Sequence, residues 1–468
     1  MTTELTTYTL DEVCEFTNGF AFKSKDYIPE SDETIEVFRM GYIERGGGFK
    51  EDTTPVFVPR EYGRDLSKFM LRPGDVTIAM TDMKNNVAIL GNTARVTHAD
   101  RFVLNQRVGC IRVSRPDVLD PRFLYYYSNS ADHIQDLRSR ANSGVQVNLS
   151  TAAIKESELH LPTLPEQRAI ASILGSLDDK IELNRRMNAT LESLARAIFK
   201  SWFVDFDPVH ANAIRMNAGK INAGQMPSSS AIPTTHDPKV LDLFPTTFQD
   251  SELGPIPEGW SVKRLEDLTT EIGSGATPRG GSKVYVEQGV ALVRSQNVFD
   301  YEFVWDGLAR ITDEAAKKLE KLTLQEGDVL FNITGASILR TCIVDPRVLP
   351  ARVNQHVARI RADEGVSPYY LHEYLVRKEM KDQMIGLNAG ATREAITKGH
   401  LQNLEIIAPS TSVLEAFDDV TQPLYRKKQE ANAESFELGS LRDALLPQLL
   451  SGELPVPEAV FAAEEALA

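Results

Sequence analysis

A chain of 468 residues, 42% apolar and 25% charged, is too long for a single core and has the make-up of an ordinary globular protein with two domains. No apolar run approaches a membrane span, the opening MTTELTTYTLDEV lacks a basic head and apolar run, and Cys14, Cys110 and Cys342 show neither a metal nor a disulfide spacing, so a cytoplasmic chain with buried thiols is expected. The formal net charge of −15 argues against a nucleic-acid partner only until it is divided along the chain: residues 409–468 carry 11 acids and 4 bases, whereas 261–408 carry 20 and 19.

The chain opens with a short amphipathic segment, Leu10–Phe22, that ends in a turn at Asn18-Gly19. Short β-like runs follow at Val56–Val58, Asp75–Ala79, Val87–Leu90, Arg101–Leu104 and Val108–Val113, separated by Gly, Asn and Asp, which predicts a mixed sheet with loops. Tyr125–Tyr127 begins a helical segment, and Val147–Leu161 leads into a long helix over 161–207. Along that helix Ile170, Ile173, Leu177, Ile181, Met187, Leu191, Leu194, Ile198 and Trp202 recur every three or four residues and form one apolar stripe. Small, polar and proline-rich residues over 208–259 read as a linker.

From Trp260 the pattern starts again, and Leu265 stands where Leu10 stood. LRPGDVTIAM (71–80) is echoed by LQEGDVLFNI (324–333) and VLNQRVGCIRV (103–113) by RVNQHVARIRA (352–362), and Tyr369–Tyr370 begins a helical segment in this copy. Shifted by 247 residues, the stripe returns as Phe417, Val420, Leu424, Lys428, Glu434, Leu438, Leu441, Leu445 and Leu449 in a second long helix over 409–454. The chain is an internal duplication: units 1–160 and 260–408, each followed by a long helix, with 455–468 as a loose acidic tail. The second helix carries Pro423 and Pro447 and aligns poorly with the first before Leu424, which predicts irregular early turns.

Two similar units of this kind close on themselves if the helices pack antiparallel and bury both stripes. The predicted fold class is therefore α+β: two similar mixed α/β domains joined by two long antiparallel helices, a pseudo-twofold internal repeat. Ile173, Leu177, Ile181, Leu191, Leu194 and Ile198 are expected to pair with Val420, Leu424, Leu438, Leu441 and Leu445. A helix of about 36 to 40 residues spans roughly 54 to 60 Å, more than the roughly 34 Å of one duplex turn.

Catalytic motifs fail on inspection. GSGATPRGGSK (273–283) has Gly281 where a phosphate loop needs lysine, and the second histidine that a zinc site at His372-Glu373 requires would fall at Val376. Asp178-Asp179 and Asp205-x-Asp207 read as solvated carboxylates on or just after a helix. Asp207-Pro208 lacks the rest of an adenine-methyltransferase motif, and no glycine-rich S-adenosylmethionine loop accompanies it. Two windows without any carboxylate, Arg101–Pro116 (Arg101, Arg107, Arg112, Arg115) and Pro346–Ala362 (Arg347, Arg352, Arg359, Arg361), occupy corresponding places in the repeat and point to a paired anion-binding surface.

The segments LPTLPEQRAIASILGSLDDKIELNRRMNATLESLARAIFKSWFVDFDP, DSELGPIPEGWSVKRLEDL, EGDVLFNITGAS and LLPQLLSGEL, in duplicate architecture, resemble the specificity subunit of type I restriction–modification systems. The resemblance spans essentially the whole chain and is strongest in the helices. It implies two target-recognition domains, each reading one half of a split double-stranded DNA target, with the helices setting the gap. It also implies docking of two adenine-methyltransferase subunits and recruitment of restriction/translocase subunits, with S-adenosylmethionine, ATP and Mg on those partners and no cofactor, metal or catalytic residue in this chain.

Given that resemblance, the DNA-contact candidates are the donor side chains in loops: Lys23, Lys25, Lys84 and Arg107 in the first unit, and Thr277, Arg279, Thr334, Ser337, Arg340 and Arg393 in the second. Asn105-Gln106 and Asn354-Gln355 are identical in both copies, which favours a structural role for them. Two other readings are an acidic DNA-mimicking inhibitor or scaffold, opposed by the carboxylate-free windows, and a stand-alone modification enzyme, opposed by the missing cofactor loop.

Overall fold

The computed structural model describes residues 5–50, 53–83, 87–143, 146–218, 238–387 and 395–467. The chain divides into two units, Met1–Leu183 with Glu434–Ala468, and Asn184–Ala433.

In the first unit the strand Thr6–Thr9 pairs antiparallel with Glu158–Leu161, and a one-turn helix, Leu10–Val13, follows. The Glu12 carboxylate accepts from the backbone N–H and hydroxyl of Thr9 and so closes the helix start. The core is a four-stranded antiparallel sheet of β1 (Cys14–Asn18), β2 (Val76–Ala79), β3 (Thr93–Arg95) and β4 (Val108–Val113) in the order β1-β4-β2-β3. A three-stranded sheet lies beside it, in which Thr34–Phe38 pairs antiparallel with Phe57–Pro59 and parallel with Phe102–Leu104. Thr34–Phe38 is buried throughout, as a central strand between two neighbours should be. Helix Pro121–Ser128, with Pro121 in its first turn and Asp120 accepting from two backbone N–H groups, then leads toward the long helix.

The second unit repeats this plan. Ser261–Arg264 pairs with Glu405–Ala408, and β5 (Thr269–Ser274), β6 (Val329–Asn332), β7 (Thr341–Ile343) and β8 (Val357–Ala362) form a sheet in the order β5-β8-β6-β7. Tyr285–Val293 pairs antiparallel with Ala309–Ile311 and parallel with Ala351–Val353. The mixed α+β class and the duplication are thus present as structure: the same strand order, with a parallel strand pair at the same place, built twice.

Two long helices complete the units: α1 (Leu164–Phe203, 40 residues) and α2 (Thr411–Ser451, 41 residues). They run antiparallel. In the first unit Lys180 pairs with Glu434 at 3.1 Å and Asp178 with Arg442 at 2.7 Å. In the second unit the Asn184 amide donates to the Ala431 carbonyl, Asn188 to Asn432, and Lys428 to Glu192. Ile173, Leu177 and Ile181 are buried in one core with Leu438 and Leu445, and Leu441 packs at its edge. Ile198 is buried in the other core with Leu424 against it, and Leu191 borders the same small cleft as Leu424.

Several expectations are corrected. Leu194 and Val420 are 42% and 40% exposed and lie outside the helix seam. A stripe drawn at threes and fours drifts around a helix of 3.6 residues per turn, and Ala195 and Thr421 occupy the buried face instead. The early turns of α2 are regular helix straight through Pro423. Val87–Leu90 is a loop, because the Asp82 carboxylate takes the N–H groups of Ile89 and Leu90 and Arg138 takes the carbonyls of Ala88 and Leu90, which leaves no ladder to join.

The segment read as linker also carries structure. Asp207–Ala218 is helical, Asn212 donates to the carbonyls of Leu241 and Phe244, and Val209, Phe244 and Ile256 are buried in the second unit's core. The segment read as a loose acidic tail is a helix, α3 (Val456–Leu467), that sets Ala459 and Ala463 into the first unit's core. Its acids occupy one face and its small apolar residues the other.

Candidate nucleic-acid interface

The arginine windows, expected as anion-binding surfaces, are mostly committed to internal carboxylates. Arg112 grips the buried Asp75 through two hydrogen bonds of 2.7 and 2.6 Å, and Arg361 grips the buried Asp328 at 2.7 and 2.8 Å. These are the aspartates of the repeated Gly-Asp turns, so the two echoes found in the sequence are halves of one ion pair made twice. Arg101 pairs with Glu36, Arg115 with Asp117, Arg347 with Asp345 and Arg359 with Glu271, while Arg352 donates to the Ala316 carbonyl. Of the eight, Arg107 differs: it is exposed, and among the described residues no side chain pairs with its guanidinium.

Arg107 stands at the tip of the turn that enters β4. The Asn105 N–H donates to the Phe38 carbonyl, Gln106 to Phe20, Gly19 to Val108, and Met80 to the carbonyl of Arg107 itself. The second unit builds the corresponding turn with Asn354 donating to Val293, Gly275 to Val357, and Ile333 to the carbonyl of His356. In both, a glycine directly follows the paired strand, β1 or β5, because the turn leaves no room for a side chain. A Cβ on Gly19 would lie 1.9 Å from the Asn105 carbonyl oxygen, and one on Gly275 1.7 Å from that of Val353.

The two tips carry different chemistry. In the first unit the chain that pairs with the turn at Phe20 runs on into a loop bearing Lys23 and Lys25, both exposed. That loop is held by Asp26, which accepts from the Lys23 N–H and the Tyr62 hydroxyl, and by Phe20 packing edge-on against Tyr62 and Phe69. The Lys23 N–H and then Tyr62 hold the Asp26 carboxyl below its usual range. In the second unit, Thr277 donates to the Gln355 carbonyl oxygen, the Gln355 amide meets His356 Nε2 at 3.1 Å, and His356 Nδ1 meets the Thr334 hydroxyl at 2.7 Å. Thr277, Gln355 and His356 are exposed and Thr334 half-buried. Gln355, expected to be structural, belongs to this surface cluster.

The other candidates fall as follows. Arg279 is exposed a short way beyond Thr277, and Ser337 is half-buried in the loop after β6. Arg340 lies over the Phe299 ring at 4.1 Å, and Lys84 and Arg393 lie outside the described residues. His356 was missed by sequence reasoning. The signal was available, since aligning VLNQRVGC with RVNQHVAR leaves Arg107 opposite His356 inside a matching frame.

Buried titratable groups elsewhere are structural. His372 and Glu373 are fully buried, and burial pushes His372 down to about 3 and Glu373 up to about 7. Burial also raises the three thiols, Cys14 to about 12. Asp178, expected on a solvated face, accepts from the Tyr126 hydroxyl at 2.6 Å and pairs with Arg442, and Asp179 pairs with Arg122 at 2.8 Å. Among the described residues no cluster of three His, Cys, Asp or Glu side chains is arranged to hold a metal, and no helix is long and apolar enough to cross a membrane.

The model of the type I restriction modification DNA specificity domain matches residues 3–193 and 257–431, more than half of the chain and once in each copy of the repeat. The chain belongs to this family. Its relatives include the type I restriction enzyme HindI specificity subunit of Haemophilus influenzae, 26% identical over 76% of this chain and 82% of that one. The MjaIX specificity subunit of Methanocaldococcus jannaschii is 26% identical over 72% and 69%. In fold, this specificity-family chain is similar to the crystal structure of a type I restriction-modification system S subunit from M. genitalium, with a TM-score of 0.54 and 14% identity over 96% of both chains.

Proposed function

We propose that this protein is the non-catalytic recognition subunit of a type I restriction–modification assembly, each unit reading one half of a bipartite duplex target. The observation that carries this reading is the pair of corresponding turns: one backbone frame, built twice, presents Arg107 with Lys23 and Lys25 on one unit and Thr277, Gln355, His356 and Thr334 on the other. A frame that repeats while its exposed tip varies is what two readers of unlike half-sequences require. The antiparallel helices act as the spacer between half-sites. They also present apolar side chains to solvent, Leu183 and Phe436 in the first unit and Leu194 and Val420 in the second, which favours docking of methyltransferase subunits there. S-adenosylmethionine, ATP and Mg belong to those partners, and restriction/translocase subunits join through them.

The test is a gel shift with the full chain, with and without an adenine-methyltransferase partner, on a duplex library. Sequence-selective binding that weakens steeply with salt is expected; binding without sequence preference would overturn the reading. Removing about two turns, roughly 7 residues, from both long helices should shorten the tolerated gap and leave each half-sequence intact. A changed half-sequence at an unchanged gap would refute the spacer role.

A further inference from the structure

We infer that position 107 is a base-reading position and that Arg107 recognises a guanine in one half-site. This rests on the proposed DNA-recognition function and deepens it by assigning one residue and one base.

Three observations combine. First, Arg107 is the arginine of its window that is left exposed with no partner among the described residues, while its neighbours Arg101, Arg112 and Arg115 each hold a carboxylate. An extended side chain with five donors and nothing internal to bind is available to a ligand of acceptors. Secondly, its backbone is fixed. It sits at φ 74°, a left-handed conformation that a non-glycine residue adopts at some cost, between two ladder strands and with its carbonyl taken by Met80. A side chain launched from such a turn loses little freedom on binding, which favours geometric readout over diffuse attraction.

Thirdly, the flanking charges divide the labour. Lys23 and Lys25 lie on a loop tied to the same turn through the Gln106 N–H and the Phe20 carbonyl at 2.7 Å. They supply point charges for phosphates, while the planar fork of Arg107 matches the paired acceptors N7 and O6 that guanine presents in the major groove.

The corresponding position in the other unit strengthens the assignment. His356 does not have a positive φ, and its ring is held from both nitrogens by Gln355 and Thr334. At matching positions the frame therefore presents a free guanidinium, donors alone, in one unit and an imidazole held by its neighbours in the other. Position 107 and position 356 must then prefer different bases.

The experiment uses the full chain assembled with its methyltransferase partner and a randomised duplex library, with bound sequences counted for wild type, Arg107→Asn and His356→Ala. Asparagine tolerates the left-handed backbone, so folding is retained, and thermal unfolding of each variant verifies this. For Arg107→Asn the expected result is loss of a guanine preference, roughly 5- to 150-fold, at one base pair of one half-site, with the other half unchanged. His356→Ala should alter only the opposite half. Uniform weakening over all sequences with a shallower salt dependence would make Arg107 a phosphate contact and overturn the inference. So would an Arg107→Asn profile identical to wild type. A wild-type assembly that selects no sequence would instead overturn the function on which the inference stands.

Discussion

The two junctions between a domain helix and a long helix solve one problem with opposite parts. In the first unit Tyr126, on the domain helix, donates to Asp178 on α1, and Arg442 completes the cluster. In the second unit the acid is on the domain helix. Glu373 accepts from Tyr425 on α2 at 2.7 Å and from Tyr301 at 2.6 Å, with Arg196 donating to Tyr301. The offset of 247 aligns Tyr126 with Glu373 and Asp178 with Tyr425. What each junction keeps is one acid and one phenol meeting between the domain helix and the long helix, with an arginine near; which helix carries which is free to exchange. A duplicated fold can thus diverge at a helix-to-helix contact, provided both sides change together.

That comparison is sharpest when one side alone is changed. Tyr126→Glu sets a second carboxylate against Asp178 and should cost on the order of 4 kcal/mol. The double variant Tyr126→Glu/Asp178→Tyr rebuilds the second unit's pair and should recover at least about 1 kcal/mol of that loss in denaturant unfolding. No recovery would show that the exchange is coincidental.

The swapped acid should also respond to pH. Glu373 faces Tyr301, Tyr425, Arg196 and Glu192, and burial raises its carboxyl from 4.5 to about 7, the two tyrosine hydroxyls opposing this in part. Its folded value lies above its unfolded one, so the native state holds the proton more tightly. Stability from this group is complete below about 4.5 and is lost as pH rises through about 7, by on the order of 3 kcal/mol. Thermal unfolding of Glu373→Gln across that range should be flatter than wild type by that amount, and parallel curves would count against it.

Smaller effects follow. Arg442→Ala leaves a partly exposed Asp178 with Tyr126 as its remaining side-chain partner and should cost about 2 kcal/mol in the first unit. Tyr126→Phe, which keeps the Asp178–Arg442 pair, should cost about 1 kcal/mol. Leu194→Ser with Val420→Ser should change stability by less than about 0.5 kcal/mol, yet weaken association with a methyltransferase subunit when titrated against it.

The repeat was legible because its signals are local: Gly-Asp before a β-branched run, Asn-Gln before a strand, and a stripe with a single offset. The exchange at the junctions was not, because Tyr126 and Asp178 lie 52 residues apart and no spacing rule links a helix in a domain to the rod it leans on. The arginine windows misled for the same reason. A stretch free of acids looked like an open cationic face, but Asp75 reaches Arg112 across a sheet from 37 residues upstream. Arg107 could be singled out only after its neighbours' partners were known.

The last helix gives the chain an unusual order of completion. Ala459 and Ala463 of α3, with Leu438, Leu445 and Leu449 of α2, finish a core begun by Leu10 and Val13, and residues 184–433 are threaded between the two ends as an insertion. During synthesis the second unit can close while the first still waits for the residues of α3 to leave the ribosome. A stop codon shortly before position 456 would therefore injure the unit encoded at the far end of the gene and spare the nearer one.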